Sequence, residues 1–540
     1  MFNQKIRVGF VTPSLAMGGA ERWMLSLAKH CDPNKIEWVG TVVSPNAPVI
    51  AGLTSQMVRY MPIFGTNDIR GDSTNVTICK SLEDAMENVS PADVLITWGF
   101  NEVGSITGPL KVPLVFVSHG TSQWTIDAML SSKDKCTHFA AVSQAAAAAV
   151  LPEGMKVICN GIETHRCTPT ISREQFRDWA GIPRDAIVIG YIGRYSGEKN
   201  PIAVAQAVHQ MDDPNVYALY CGEGHHQKEL LKEVASLVGD QLFVLPFQDC
   251  VGDVLAGIDV FVLASDTEGF SLALTEAWYA GIPTVATRVG SVPELEQEFG
   301  KLVAAVPCSP SPTDLVDAIE EALSIGFGED VVPRAKKMVE ENFTAQKMGE
   351  NWTDFILSIA RESADKINQI ITQAEKVPGW MTRQELTWLI KKSISLDTGS
   401  TWCELGSHCG RSLLAVGLSL PIGSTLITIG DDWQDPVLFD ALRQIHQARK
   451  REIKIHAIRS GTEEDFGGHE SILFDVVFID ANHGYESCKS DIKNWANLMQ
   501  AGGTICGHDY CDSWPGVKQA VDELLPARQV TESIWHYQYA

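Results

Sequence analysis

Residues 260–286 run Val260-Phe261-Val262-Leu263-Ala264, then Ser265-Asp266-Thr267-Glu268-Gly269-Phe270-Ser271-Leu272, then a helical stretch carrying Glu276, then Ile282-Pro283-Thr284-Val285-Ala286. An apolar run, a polar loop with one glycine, a helix and a second apolar run make a strand–loop–helix–strand unit. Short apolar runs of the same kind stand at 7–11, 94–97, 114–117, 187–191 and 216–220. Strands that alternate with helices are buried on both faces of a parallel sheet, so the chain reads as α/β.

Two breaks divide the pattern. Thr168-Pro169-Thr170 to Pro183 is polar and proline-bearing before a new strand. From Met348 to Ile371 the chain reads as helix with no strand, and Lys376-Val377-Pro378-Gly379-Trp380 stops it. A new αβ pattern then begins with Trp402-Cys403-Glu404-Leu405-Gly406. The expected architecture is two Rossmann-like domains over 1–175 and 176–345, a helix and linker over 346–380, and a third Rossmann-like domain over 381–540. The run Ala145 to Ala149 is expected to be a helix capped by Ser143.

Composition narrows the function. The 540 residues are 45% hydrophobic and 20% charged, which excludes a disordered chain. The net charge of −24 repels phosphate backbones and disfavours non-specific nucleic-acid binding. The 13 cysteines are scattered, with no Cys-x-x-Cys pair, and speak for a reducing compartment. No uninterrupted apolar stretch reaches the ~18 residues of a membrane span, and the first residues do not read as a signal peptide. The expectation is a cytoplasmic protein. The Asn-x-Ser/Thr sites at Asn75, Asn88, Asn342 and Asn351 are then chance matches.

Three loops in the first two domains carry chemistry. Gly18 and Gly19, between a strand and a helix, allow a ligand close to the backbone at a helix N-terminus, although a tight turn needs the same residues. Arg194 and Lys199 are two cations in one glycine-bearing loop, suited to neutralising a diphosphate when no metal does so. Glu268 and Glu276 can accept sugar and ribose hydroxyls, and the amides of Gly269, Phe270, Ser271 and Leu272 open a helix toward a phosphate.

In this order, together with Asn160-Gly161-Ile162-Glu163 and Gly222-Glu223-Gly224, these loops resemble the retaining glycosyltransferases of family 4, which have the GT-B fold. The resemblance covers roughly residues 1–360. It implies a nucleotide-diphosphate sugar donor, with Arg194 and Lys199 at the diphosphate, Glu268 at the donor sugar, Glu276 at the ribose and Gly19 near the phosphates. It implies a role near the donor sugar for His119, in Val117-Ser118-His119-Gly120. It also implies front-face transfer without a metal, and a final helix around 351–359 that crosses back to the first domain.

The third domain has a second set. Glu404-Leu405-Gly406-Ser407-His408-Cys409-Gly410-Arg411-Ser412 ends a strand and opens a helix, with Gly406 and Gly410 permitting a tight turn. The next strand, 425–429, ends in Gly430-Asp431-Asp432, where either acid can take ribose hydroxyls. Asp480 and His483 follow a further strand, and His508-Asp509-Tyr510 another. No phosphate-loop lysine is present, so triphosphate hydrolysis is not favoured.

This ordered set resembles class I S-adenosylmethionine-dependent methyltransferases over about 380–540. The resemblance implies cofactor contacts from Glu404, Gly406, Gly410, Ser412 and Asp431 or Asp432, and His483 as base. Asp480, His508 and Asp509 would hold Mg²⁺, which in similar sugar O-methyltransferases orients the substrate. His508 replaces an acid found in some metal-dependent relatives, and other relatives use no metal.

The combined expectation is a bifunctional enzyme that transfers a sugar to a glycan or lipid-linked glycan acceptor and O-methylates a sugar hydroxyl. Two alternatives stand beside it. One makes the third domain a non-catalytic cofactor- or glycan-binding module. The other makes the acceptor a modified nucleic acid, against which the charge argues.

Overall fold

The computed structural model describes residues 5–12, 19–43, 59–66, 77–79, 85, 88–89, 92–98, 112–150, 154–224, 226–248, 250–430, 435–450, 452–459 and 473–539. Gly18, Asp431 and Asp432 lie outside the described residues.

Each apolar run is a strand, because the interior of a parallel sheet accepts side chains on both faces. The first sheet runs, in spatial order, Thr77–Cys79, Ile63–Thr66, Ile36–Val43, Ile6–Thr12, Val94–Thr97, Leu114–Ser118, His138–Ala141 and Lys156–Val157. All its pairs are parallel. Chain order reverses beside Ile6–Thr12, and the helix Gly19–His30 starts beyond that strand's C-terminal end. Such reversals open a crevice where α/β sheets bind ligands.

The second sheet is also parallel, in the order Leu242–Leu245, Val216–Cys221, Ile187–Ile192, Val260–Leu263, Thr284–Thr287 and Ala304–Val306. Its reversal flanks Ile187–Ile192, so residues 193–200 and 264–271 emerge side by side at one edge. The alanine-rich helix Gln144–Val150 begins as expected, with the amide of Ala146 donating to Ser143 Oγ at 3.0 Å.

The third sheet runs Lys454–Arg459, Thr425–Gly430, Thr401–Leu405, Phe474–Ile479, Met499–Gly507, Ile534–Gln538 and Gln529–Thr531. The last two strands are antiparallel to their neighbours. One face packs on Leu413, Leu414, Val416, Leu386 and Ile390, the other on Ile492, Trp495, Val517 and Val521.

The chain divides into two compact units, one ending at Ile359 and the other holding Ala360–Ala540. The boundary falls inside one helix, Ala345–Ala374. In the first unit, Trp352 meets Trp23 with ring centroids 5.3 Å apart, and the amide of Asp32 donates to Thr353 Oγ1 at 3.0 Å. The final helix therefore crosses back to the first sheet's domain. In the second unit, Ile371 and Ala374 belong to the core. Truncating a buried tryptophan such as Trp352 costs about 3–5 kcal/mol, so this packing is a substantial part of the first unit's stability.

Candidate active sites

In the first unit, loops from both sheets meet. A β-carbon on Gly269 would lie 2.1 Å from the carbonyl oxygen of His119, so only glycine permits this approach. Thr121 Oγ1 and Thr267 Oγ1 are 2.6 Å apart across the same seam. A β-carbon on Gly19 would be 4.0 Å from Leu272 Cδ1, which sets the start of helix Gly19–His30 opposite that of helix Leu272–Ala280. Ser271 caps the latter, and its side chain accepts from the amide of Leu274. His119, Gly19 and the 268–272 loop, separated in sequence, thus line one seam.

The charged residues are paired in this arrangement. Lys199 Nζ lies 2.6 Å from Glu268 Oε1, which also accepts from Ser265 Oγ at 2.8 Å. Arg194 is exposed and stands 3.6 Å from Glu198. Glu276 is buried, and burial raises its pKa against the pull of Arg166, whose Nη1 is 3.3 Å away. Arg166 did not stand out in the sequence. The signal for it is chemical, since a buried acid needs a cation.

His119 stands edge-on to Trp23 and Trp98, and burial presses its pKa down to about 3. A ring held neutral can make one directed hydrogen bond but is unsuited to shuttling protons near pH 7. Its Nε2 has no partner. Glu163, from the Asn-Gly-Ile-Glu motif, meets Lys29 at 2.9 Å and His30 at 3.0 Å, so it ties helix Gly19–His30 to this loop. Burial opposes its charge, but hydrogen bonds from His30 and Lys29 carry its pKa down to about 2.

In the second unit, Glu404 ends the strand at the third sheet's reversal. It is fully buried; Oε1 accepts from Ser412 Oγ at 2.7 Å, and Oε2 has no partner. Ser412 is thus tied to Glu404. Burial raises the Glu404 pKa to about 7, against the hydroxyls of Ser412 and Ser407, which pull it down. An orphaned carboxylate oxygen beneath a glycine loop fits the ammonium group of an S-adenosyl cofactor. Gly406 and Gly410 both have φ of +85°, and a β-carbon on Gly406 would be 2.2 Å from the carbonyl of Asp480. The loop is thereby drawn tight against the end of strand Phe474–Ile479.

For an ammonium-bearing cofactor held at Glu404, the raised pKa predicts pH-dependent binding. Only the ionised acid pairs with an ammonium, so affinity rises with pH through about 7 and levels above it. Titrating S-adenosylhomocysteine calorimetrically at pH 6 and pH 8 is expected to show up to about tenfold tighter binding at pH 8. Glu404→Gln is expected to flatten the profile. An equal pH slope in both proteins rules the pairing out.

Asp480, His483 and Asp509 each offer a ligand atom within 4.8 Å of the others. His483 Nε2 is 2.7 Å from Asp509 Oδ2, and the ring stacks on Trp514 with centroids 4.3 Å apart. His508, expected among the metal ligands, is buried behind this group. Its Nε2 faces Glu385 Oε1 at 3.2 Å, and its Nδ1 lies 3.3 Å from Asp509 and 3.6 Å from Asp480. Burial works against its charge, but the three carboxylates hold its pKa far above the usual value. The ligand group that the geometry assembles thus contains His483, and His508 competes with any cation for the same oxygens. Glu385 does not stand out in the sequence; besides facing His508 it completes a capping box with Thr382 at the start of helix Arg383–Ile394.

Comparison with known proteins agrees with both halves. Residues 172–343 match the family of glycosyl transferases group 1, and residues 403–510 match a methyltransferase domain family. The chain is 27% identical to N-acetyl-alpha-D-glucosaminyl L-malate synthase of Bacillus anthracis, over 35% of this chain and 50% of that protein. It is 30% identical to D-inositol 3-phosphate glycosyltransferase of Corynebacterium jeikeium, over 34% and 48%, and 24% identical to the O-antigen biosynthesis glycosyltransferase WclY of Escherichia coli, over 39% and 58%. The chain spans about half the length of the curated relatives it matches. Anabaena Alr3699/HepE, solved in complex with UDP-glucose, superposes with a TM-score of 0.53 at 19% identity, covering 67% of this chain and 100% of that one. This chain carries a glycosyltransferase group 1 domain with the GT-B fold, and a methyltransferase domain.

Proposed function

We propose that the chain is a bifunctional glycan-modifying enzyme. One activity is retaining transfer of a sugar from a nucleotide-diphosphate sugar to a glycan or lipid-linked glycan. The other is S-adenosylmethionine-dependent O-methylation of a sugar hydroxyl. The observation that carries it is the ionisable groups gathered at the crevice end of the sheets, where the half-buried pair Lys199–Glu268 and the buried Glu276 in one unit are matched by the buried Glu404 and the half-buried Asp480–His483–Asp509 in the other. Buried ionisable groups are costly, and their clustering in clefts marks functional sites. The relatives add support, since HepE was solved with UDP-glucose and WclY is named for O-antigen biosynthesis.

In this reading residues 1–175 receive the acceptor, 176–345 bind the donor, 346–380 connect, and 381–540 methylate. The cytoplasm is the proposed compartment, in keeping with thirteen scattered cysteines and no Cys-x-x-Cys pair in the sequence. Donor entry draws Lys199 from Glu268 to the diphosphate and frees Glu268 for the sugar hydroxyls. The bond between the anomeric carbon and the diphosphate oxygen breaks, with its electron pair going to that oxygen. Arg194, Lys199 and the amides at Ser271–Leu272 stabilise the charge. The acceptor oxygen bonds to the anomeric carbon on the same face and passes its proton to the departing oxygen. His119 supplies one directed hydrogen bond at the sugar.

In the second unit S-adenosylmethionine supplies an electrophilic methyl group. Glu404 and the Gly406–Gly410 loop bind it. His483 takes the hydroxyl proton at the ring nitrogen turned away from Asp509, and Asp509, which faces Nε2, steadies the resulting imidazolium. Asp480 and Asp509 would hold a divalent cation, whose contribution would be to lower the pKa of a bound hydroxyl.

Thermal unfolding followed by calorimetry tests the reading. S-Adenosylhomocysteine is expected to stabilise one transition, and UDP or GDP the other, each by about 2.7 kcal/mol at a hundredfold excess over its dissociation constant. A Mg²⁺-dependent increase in labelled methyl transfer to the glycosylated product is expected, and EDTA should reverse it. A nucleotide shift with no S-adenosylhomocysteine shift would instead leave the third domain a non-catalytic module.

A further inference from the structure

We infer that Trp380 is the outer wall of the cofactor pocket, an aromatic surface for the adenosyl or sulfonium part of S-adenosylmethionine. The inference rests on the reading that the second unit binds this cofactor, and it assigns a residue outside the glycine loop to that task.

Trp380 is 80% exposed, the largest fractional exposure among the described large hydrophobic side chains. An indole left in water forgoes a few kcal/mol of burial, and its position here is fixed. Val377 and Met381, three residues before and one after, are buried in the unit's core. Arg411 grips the same segment from the other side. Its Nε donates to the carbonyl of Val377 at 2.8 Å and its Nη1 to that of Met381 at 3.1 Å. A β-carbon on Gly379 would touch the Arg411 side chain at 3.2 Å, so the strap lies directly on it.

Arg411 is also the first residue of the helix that follows the Gly406–Gly410 loop. The strap and the loop are therefore held by one side chain. Trp380 stands edge-on to His408 within that loop, with ring centroids 5.2 Å apart and planes at 81°. His408 has φ of +43°, the left-handed conformation that non-glycine residues adopt only uncommonly. Glu404, with its orphaned oxygen, stands where this loop begins, and Trp380 packs on His408 in its middle. A ligand with an ammonium group at one end and an aromatic or cationic portion at the other matches both. S-Adenosylmethionine has that distribution.

The experiment is titration of the full chain with S-adenosylhomocysteine, read by calorimetry and by tryptophan fluorescence. Trp380→Ala is expected to weaken binding at least tenfold and to remove most of the ligand-induced fluorescence change. Trp380→Phe is expected to stay within about threefold of the unaltered protein. Because the side chain is exposed, the melting temperature without ligand is expected to be unchanged in both. Equal affinity in Trp380→Ala and the unaltered protein overturns the proposal while leaving the cofactor reading intact. If the unaltered protein binds no S-adenosylhomocysteine yet still responds to a nucleotide, the cofactor reading falls and the proposal with it.

Discussion

Replacing Lys199 by alanine is expected to lower sugar transfer by about 10²–10³-fold, chiefly in kcat. The reason lies in timing. Negative charge builds on the diphosphate only as the glycosidic bond breaks, so a cation aimed there stabilises the transition state more than the bound donor. Without ligand, Lys199 is engaged with Glu268 at 2.6 Å, so its charge is already desolvated and positioned. Lys199→Arg is expected to recover part of the rate, since it keeps the charge but not the reach. Lys199→Ala with Glu268→Gln should lose less than the product of the two single losses, because the partners share one interaction. Methyl transfer by the same variants is expected to be unchanged. Sugar transfer in Lys199→Ala above a tenth of the normal rate would sink the leaving-group assignment.

The second large effect is at His483. Alanine there is expected to reduce methyl transfer about 10²–10⁴-fold, the usual span for a positioned base. The pH dependence gives a sharper test. Pairing with Asp509 raises the His483 pKa above its ordinary value. The neutral ring is the base, so the rate climbs as pH rises through that elevated pKa. Asp509→Asn removes the pairing and is expected to move the rising limb to lower pH while lowering the plateau. Single-turnover rates between pH 5.5 and 9 distinguish this from a merely structural role, which would lower the plateau without moving the limb.

The strands and loops were legible because apolar runs and glycines are local signals. Strand 260–263, its loop and the helix carrying Glu276 could be read directly. The helix that carries Trp352 and Thr353 could be read in the same way, while its return to the first sheet is what the family resemblance implies. Partnerships across the chain were not legible. Nothing near Arg166 indicates that it meets Glu276, 110 residues on. Glu385 completes a capping box, yet it also faces His508 from more than a hundred residues away. His508 was read as a ligand from its place at a strand end. Only the direction of its ring, toward Glu385, sets it behind the ligand group. Ser412 donates to Glu404, a partnership that its place in the loop does not show. Sequence spacing gives the strand end at which a residue stands, and packing decides which way its side chain turns.

The thirty-residue helix Ala345–Ala374 constrains how this gene could have been assembled, and how it can be taken apart. Fusion of two enzymes through a floppy tether leaves a segment that can be cut without harm. Here no such segment exists within the helix. A front fragment stopped at 345 discards Trp352 and Ile356 from its own interior, and a rear fragment begun at 381 discards Ile371, Ala374 and Val377 from its own. Either half, to stand alone, has to keep its share of a helix that the other also claims. Loss of one activity by truncation is therefore apt to be mistaken for dependence of that activity on its neighbour.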